Sequence, residues 1–146
     1  MPMKYLCLIY LNEDEMDVMP TREMDALNVA HLDFNDELRK TGHFIEAEAL
    51  APGRATAKIR VRKGQVGITD GPYAESKELV AGFYLIDAED MEEAIAIASR
   101  IPSAPLATIE VRPTRQLSVA DRAGAEGGGK REIAKQLEGA RIPWHS

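Results

Sequence analysis

Leu79-Val80-Ala81-Gly82-Phe83-Tyr84-Leu85-Ile86 is the stretch that decides the fold. None of its eight residues is charged, and its bulky side chains fall on odd and even positions alike. Successive side chains of a strand point to opposite faces, so a half-exposed strand alternates apolar with polar residues. A strand apolar on both faces is expected at the centre of a sheet that is covered on both sides. Met3–Tyr10 (MKYLCLIY) reads in the same way, with Tyr5, Cys7 and Ile9 facing one side and Leu6, Leu8 and Tyr10 the other.

The segments on either side of these two strands have helical and turn patterns. Pro20 and Thr21 signal a helix start, and Met24, Leu27, His31, Phe34 and Leu38 then recur at spacings of three and four. Those residues form one face of an amphipathic helix that Gly42 is placed to end. His43–Ala49 reads as a strand with Phe44, Glu46 and Glu48 on one face. After the turn Ala51-Pro52-Gly53, Thr56–Arg62 alternates Ala57, Ile59 and Val61 with Lys58, Arg60 and Arg62. Lys63-Gly64-Gln65 reads as a hairpin turn into Val66–Thr69, and Asp70-Gly71-Pro72 has strong turn chemistry. Beyond the central run, Asp87 is the expected cap of a second helix with Met91, Ala94, Ile95, Ala98 and Ile101 as its buried stripe. Pro102 stops that helix, and Leu106–Val111 is the last strand.

The order is β-α-β, a β-hairpin, then β-α-β, an α+β plan. Read as a split βαβ arrangement it predicts a ferredoxin-like sandwich, with two helices on one face of an antiparallel sheet. The other sheet face is then apolar and bare. A two-fold homodimer packing sheet against sheet, a dimeric α+β barrel, would cover it. The competing cover is the C-terminal tail. Residues 1–117 form the expected domain, and 118–146 add a linker at Ala123–Gly129 and a short helix at Arg131–Leu137.

Bulk properties remove several function classes. A chain of 146 residues can bury a core without metals or disulfides. Its net charge of −6, without a long basic run and with 5% aromatic residues, argues against a nucleic-acid partner. No apolar stretch is long enough to span a bilayer, and the N-terminus lacks the pattern of a signal peptide, so the expected location is the cytoplasm. The single cysteine, Cys7, excludes an intrachain disulfide. Three histidines, none at zinc-helix spacing, give no expectation of a metal. Gly127-Gly128-Gly129 is not followed by the lysine–serine pair of a phosphate-binding loop. No cofactor is expected.

With these elements in place, MKYLCLIY, DGPYAESKE at Asp70–Glu78, GFYLID at Gly82–Asp87 and IEVRP at Ile109–Pro113 together resemble the YCII-related or DGPF-domain family. The likeness covers about the first three-quarters of the chain. It departs from the family at Tyr73, where the name motif has Phe. The resemblance implies a ferredoxin-like dimer with a cleft between sheet and helices, and no settled substrate.

His31 lies on the apolar face of its helix, where partial desolvation tunes an imidazole as a general base near neutral pH. The plain alternative is a core histidine bonded to a carbonyl. Asp70 opens a turn, where Asp commonly bonds its own backbone; within reach of His31 it would instead complete an acid–base dyad. Glu46 and Arg60 read either as an acid–cation pair in the cleft or as a cross-strand pair on a solvated face. Tyr10, Tyr73 and Ser76 complete the candidate ligand-binding set, each with packing or loop structure as the plainer role. The leading expectation is a cofactor-free acid–base enzyme on a small molecule, by elimination, isomerisation or proton abstraction. The alternative is a noncatalytic ligand-binding or regulatory homodimer.

Overall fold

The computed structural model describes residues 2–71 and 77–119. Tyr73, Ser76 and the expected helix at Arg131–Leu137 lie outside the described residues. The chain divides into two compact units, Met1–Lys58 with Asp70–Thr114, and Ile59–Thr69 with Arg115–Ser146.

The first unit holds a four-stranded sheet built from β1 (Met3–Asn12), β2 (Phe44–Ala49), β5 (Glu78–Ala88) and β6 (Thr108–Pro113). Its order is β2-β5-β1-β6, and every neighbouring pair is antiparallel. This is the α+β, ferredoxin-like order the sequence predicts, with the two strands apolar on both faces at the centre. The long helix α2 (Thr21–Thr41) follows β1, and α3 (Met91–Ala98) follows β5. A short α1 (Glu13–Asp17) follows β1; the Asn12 side chain caps it by accepting from the Glu15 amide at 3.2 Å.

Alternation places Tyr5, Cys7, Ile9 and Leu11 of β1 and Tyr84, Ile86 and Ala88 of β5 in one core with Phe34 and Leu38 of α2. The contribution of α3 differs from the expected stripe. Ala94, Ile97, Ala98 and Ile101 are buried, whereas Ile95 is 50% exposed. The buried set follows the i, i+3, i+4, i+7 pattern of one helical face, from which Ile95 is rotated away. The cap also moves: Asp87 is still within β5, and Asp90 accepts from the Glu93 amide at 2.9 Å. Glu93 in turn accepts from the Glu89 amide at 2.9 Å, a reciprocal arrangement that holds the chain's entry into α3. Gly42 ends α2 in the left-handed conformation (φ 80°), its amide reaching the Leu38 and Arg39 carbonyls.

Gly82 explains itself by closeness. A Cβ there would lie 2.8 Å from the Glu48 carbonyl oxygen, so any side chain would push β2 off β5. On the β1 side the register shifts beside it, between Ile9 and Tyr10.

The strands β3 (Ala57–Arg62) and β4 (Gln65–Asp70) form a separate two-stranded sheet. Lys63 (φ 52°) and Gly64 (φ 76°) both lie in the left-handed region, the signature of a two-residue type I′ hairpin turn. Among the described residues no helix is long and apolar enough to cross a membrane.

Candidate functional site

The polar feature at the heart of the first unit is a contact between His31 and Tyr84. Residue 84 is the single hydroxyl-bearing side chain in the apolar run that forms β5, and its position turns it toward α2. There it is 3% exposed. A buried phenol needs a partner for its O–H, and the helix provides one. The Nδ1 atom of His31 lies 2.9 Å from Tyr84 Oη, with the rings stacked at 6.0 Å between centroids and 26° between planes. Phe34, one turn along the helix, meets Tyr84 edge-on at 5.8 Å. Arg100 lies over the Phe34 ring at 5.4 Å and pairs with Glu37, so the packing is tied down at the surface.

Burial acts on both partners toward neutrality. It lowers the His31 pKa below its ordinary 6.5 and pushes the Tyr84 phenol up to about 12. At neutral pH the contact therefore joins a neutral imidazole to a neutral phenol, and either can donate. When Nδ1–H donates to Oη, Nε2 presents a lone pair; when Oη–H donates to Nδ1, Nε2 carries the proton. A single hydrogen bond thus sets whether Nε2 offers a lone pair or an N–H. Asn35, one turn after His31, has a buried Oδ1 with no hydrogen-bond partner among the described residues.

The other expected site residues fall elsewhere. Asp70 is the last residue of β4 and is exposed. Among the described residues no hydrogen bond or ion pair joins it to His31, whose partner is instead the tyrosine hydroxyl. Tyr10 points to the sheet face away from the helices, as its neighbours Ile9 and Leu11 are buried toward them. It donates to Glu110 Oε1 at 3.2 Å, and its pKa is raised, first by desolvation and then by that carboxylate. Glu46 is opposite Leu85 on the same outer face, its carboxylate accepting from the Ala47 amide at 3.1 Å. Tyr10 and Glu46 are thus separated from His31 by the thickness of the sheet. Arg60 is in β3, which belongs to the other sheet, so it and Glu46 are not on paired strands.

Tyr84 and Asn35 are the polar residues that pattern reading passed over. Tyr84 had a signal in sequence, since a lone hydroxyl in an otherwise apolar central strand demands a partner. Asn35 had none, because an Asn beside an apolar helix face is ordinarily solvated. A shallow apolar depression of about 260 Å³ between α3 and β6 is lined by Ile95, Ala98 and Val111 among others. It contains no ionisable side chain and lies apart from His31.

The family model of the YCII-related domain matches residues 3–118. The chain belongs to the YCII-related domain family. An uncharacterized protein of Rhizobium meliloti (strain 1021) is 42% identical over 66 residues, which cover 44% of this chain and 53% of that protein. The match thus spans about half the length of the relative. The YCII-related match takes in the whole four-stranded sheet and α2, and hence both His31 and Tyr84.

Proposed function

We propose that this YCII-related chain is a cofactor-free acid–base protein for a small molecule, with His31 as the proton-transferring group. Tyr84 takes the partner's role that the sequence suggested for Asp70. The observation that carries this reading is the 2.9 Å contact between His31 Nδ1 and Tyr84 Oη. In its Nδ1–H form the ring offers Nε2 to an acidic C–H or O–H of a bound molecule. On taking that proton it becomes an imidazolium whose Nδ1–H stays donated to the phenol oxygen. Return of the proton to another atom of the same molecule completes an isomerisation, and departure of a leaving group completes an elimination. A desolvated base that starts neutral suits substrates whose proton is already activated, such as small phenols and carbonyl acids. Asn35 Oδ1, buried and without a hydrogen-bond partner among the described residues, is a candidate acceptor for the O–H or N–H of a ligand that reaches it.

A homodimer and a cytoplasmic location belong to the same proposal. The sheet face away from the helices carries Leu6 and Leu8 on β1 and Phe83 and Leu85 on β5, an apolar stripe that supports association with a second copy. The noncatalytic reading keeps this dimer and uses the His31 region for ligand binding alone.

Thermal-shift measurements with small phenols and carboxylic acids test the site. A ligand that raises Tm for the wild type and Asp70→Asn but not for His31→Ala or Tyr84→Phe supports it. An equal shift in all four proteins removes His31 and Tyr84 from ligand recognition. Turnover of that ligand by the wild type alone then separates enzyme from binder.

A further inference from the structure

The helix row that holds His31 continues with polar residues. Residues four apart on a helix stand one above the next, so His31, Asn35 and Arg39 of α2 form a single row. Its two ends locate it against the sheet. His31 meets Tyr84 on β5, and Arg39 lies over the Phe44 ring on β2 at 4.3 Å. Phe34 and Glu37, which both meet Arg100, mark the other flank of the helix. Asn35 is therefore on the flank toward β2, next along the helix from the His31–Tyr84 contact. The β2 residue paired with Tyr84 is Ala47, which brings only a methyl group to that side of the core.

Packing alone gives no reason for an amide there. Asn is a poor residue for a helix interior, and the Asn35 Oδ1 is buried with no hydrogen-bond partner among the described residues. An acceptor withdrawn from water and left unpaired costs stability, and a bound donor would remove that cost. The position is also at the margin of the core. His31 and Asn35 both keep part of their surface exposed, whereas the other buried unpaired side chain among the described residues, Ser103, is sealed at 2% exposure. Asn35 thus joins an unused acceptor to a neighbouring group that can transfer a proton.

We infer that Asn35 is the specificity-determining residue of the His31 site, and that it selects small molecules with a hydroxyl donor a few bonds from the proton that His31 takes. The inference rests on the acid–base reading of His31 and names the substrate class of that site: α-hydroxy carbonyl compounds and ortho-hydroxy phenols. The spacing sets the class. Side chains one turn apart start about 5–6 Å from each other, and each hydrogen bond spans about 2.9 Å, so one small molecule can engage both. A methyl ether in place of the hydroxyl fills the same space but leaves Oδ1 unpaired. Such a site rejects the ether far more strongly than an apolar pocket could.

Calorimetric titration of the full chain with catechol and with its monomethyl ether, guaiacol, tests it. The wild type is expected to bind catechol about tenfold to a hundredfold more tightly than guaiacol. Asn35→Ala is expected to erase that preference by weakening catechol alone, whereas His31→Ala weakens both ligands. Ala is the better helix former and leaves no acceptor unpaired, so Asn35→Ala is expected to fold with a Tm no lower than wild type. If the wild type binds the two ligands equally, or the preference survives Asn35→Ala, Asn35 does not select the ligand. Weaker binding in His31→Ala then leaves the His31 site standing without it. If neither ligand binds the wild type, or both bind His31→Ala as tightly, the site and the inference fall together.

Discussion

At the scale of single residues, His31 and Tyr84 make opposite demands that one hydrogen bond meets. Each is pressed by burial toward its neutral form, and each needs a polar partner inside an apolar layer. The sign of the pH effect follows. The folded pKa of His31 lies below the unfolded value of about 6.5, so the unfolded chain binds the extra proton first. This contribution to stability is present above pH about 6.5 and is lost as the pH falls toward the folded pKa. Urea titrations across that window are expected to show the loss in the wild type and a flatter profile in His31→Gln. Tyr84→Phe keeps the ring and the Phe34 contact but leaves Nδ1 without its partner, and is expected to cost about 1–3 kcal/mol. Thermal unfolding at neutral pH measures it, and an unchanged Tm would show that the hydroxyl contributes nothing. Cys7 is fully buried, and burial pushes its thiol up to about 11. It is expected to resist aromatic disulfide reagents until the chain unfolds, and rapid labelling of the native protein would contradict that.

At the scale of elements, β2 and β5 approach closely at Gly82. Gly82→Val places a side chain where 2.8 Å separates a Cβ from the Glu48 carbonyl, and the strands have to part to admit it. The expected loss is about 1–3 kcal/mol or more, read as a lower urea midpoint. Asp90→Ala removes the cap of α3 and is expected to cost about 1 kcal/mol by the same measurement. The elements also show how far pattern reading reaches. The apolar runs of β1 and β5 announced a central position that the sheet gives them, because both-sided burial leaves a compositional mark. The cap of α3 was misplaced at Asp87 because an Asp at a strand end and an Asp at a helix start look alike locally. What separates them is how far the ladder with β1 runs, to the Met3–Ala88 pair. The stripe of α3 was off by Ile95 because alanines at three of its neighbours weaken the apolar contrast that marks a face.

For the whole molecule, the open demand among the described residues is on the half-buried apolar stripe of the outer sheet face and on the exposed aliphatic side chains of the ribbon. Phe83→Glu puts a charge at the centre of the stripe, on the face away from α2 and α3. Under the homodimer reading it is expected to give a well-folded monomer in light scattering, and a dimer as tight as wild type would argue that the stripe is not the interface.

Periodicity and turn chemistry by themselves determined the order of the main elements, the central strands, the helix that carries His31, and the place of the β3–β4 hairpin, though not its two-residue turn. These are local properties, set by which way each side chain points along a strand or around a helix. The partner of His31 was decided only by the tertiary structure. His31 and Tyr84 are 53 positions apart, and their meeting depends on the register of β5 against β1 and on where α2 lies across it. Pattern could offer Asp70 as a partner only on the condition that it lay within reach of the imidazole, a distance that spacing along the chain does not give. The fold supplied a phenol because a residue buried beneath the helix must satisfy its own hydroxyl there. The same logic divided Tyr10 and Glu46 from His31, since one step along a strand exchanges one face of a sheet for the other.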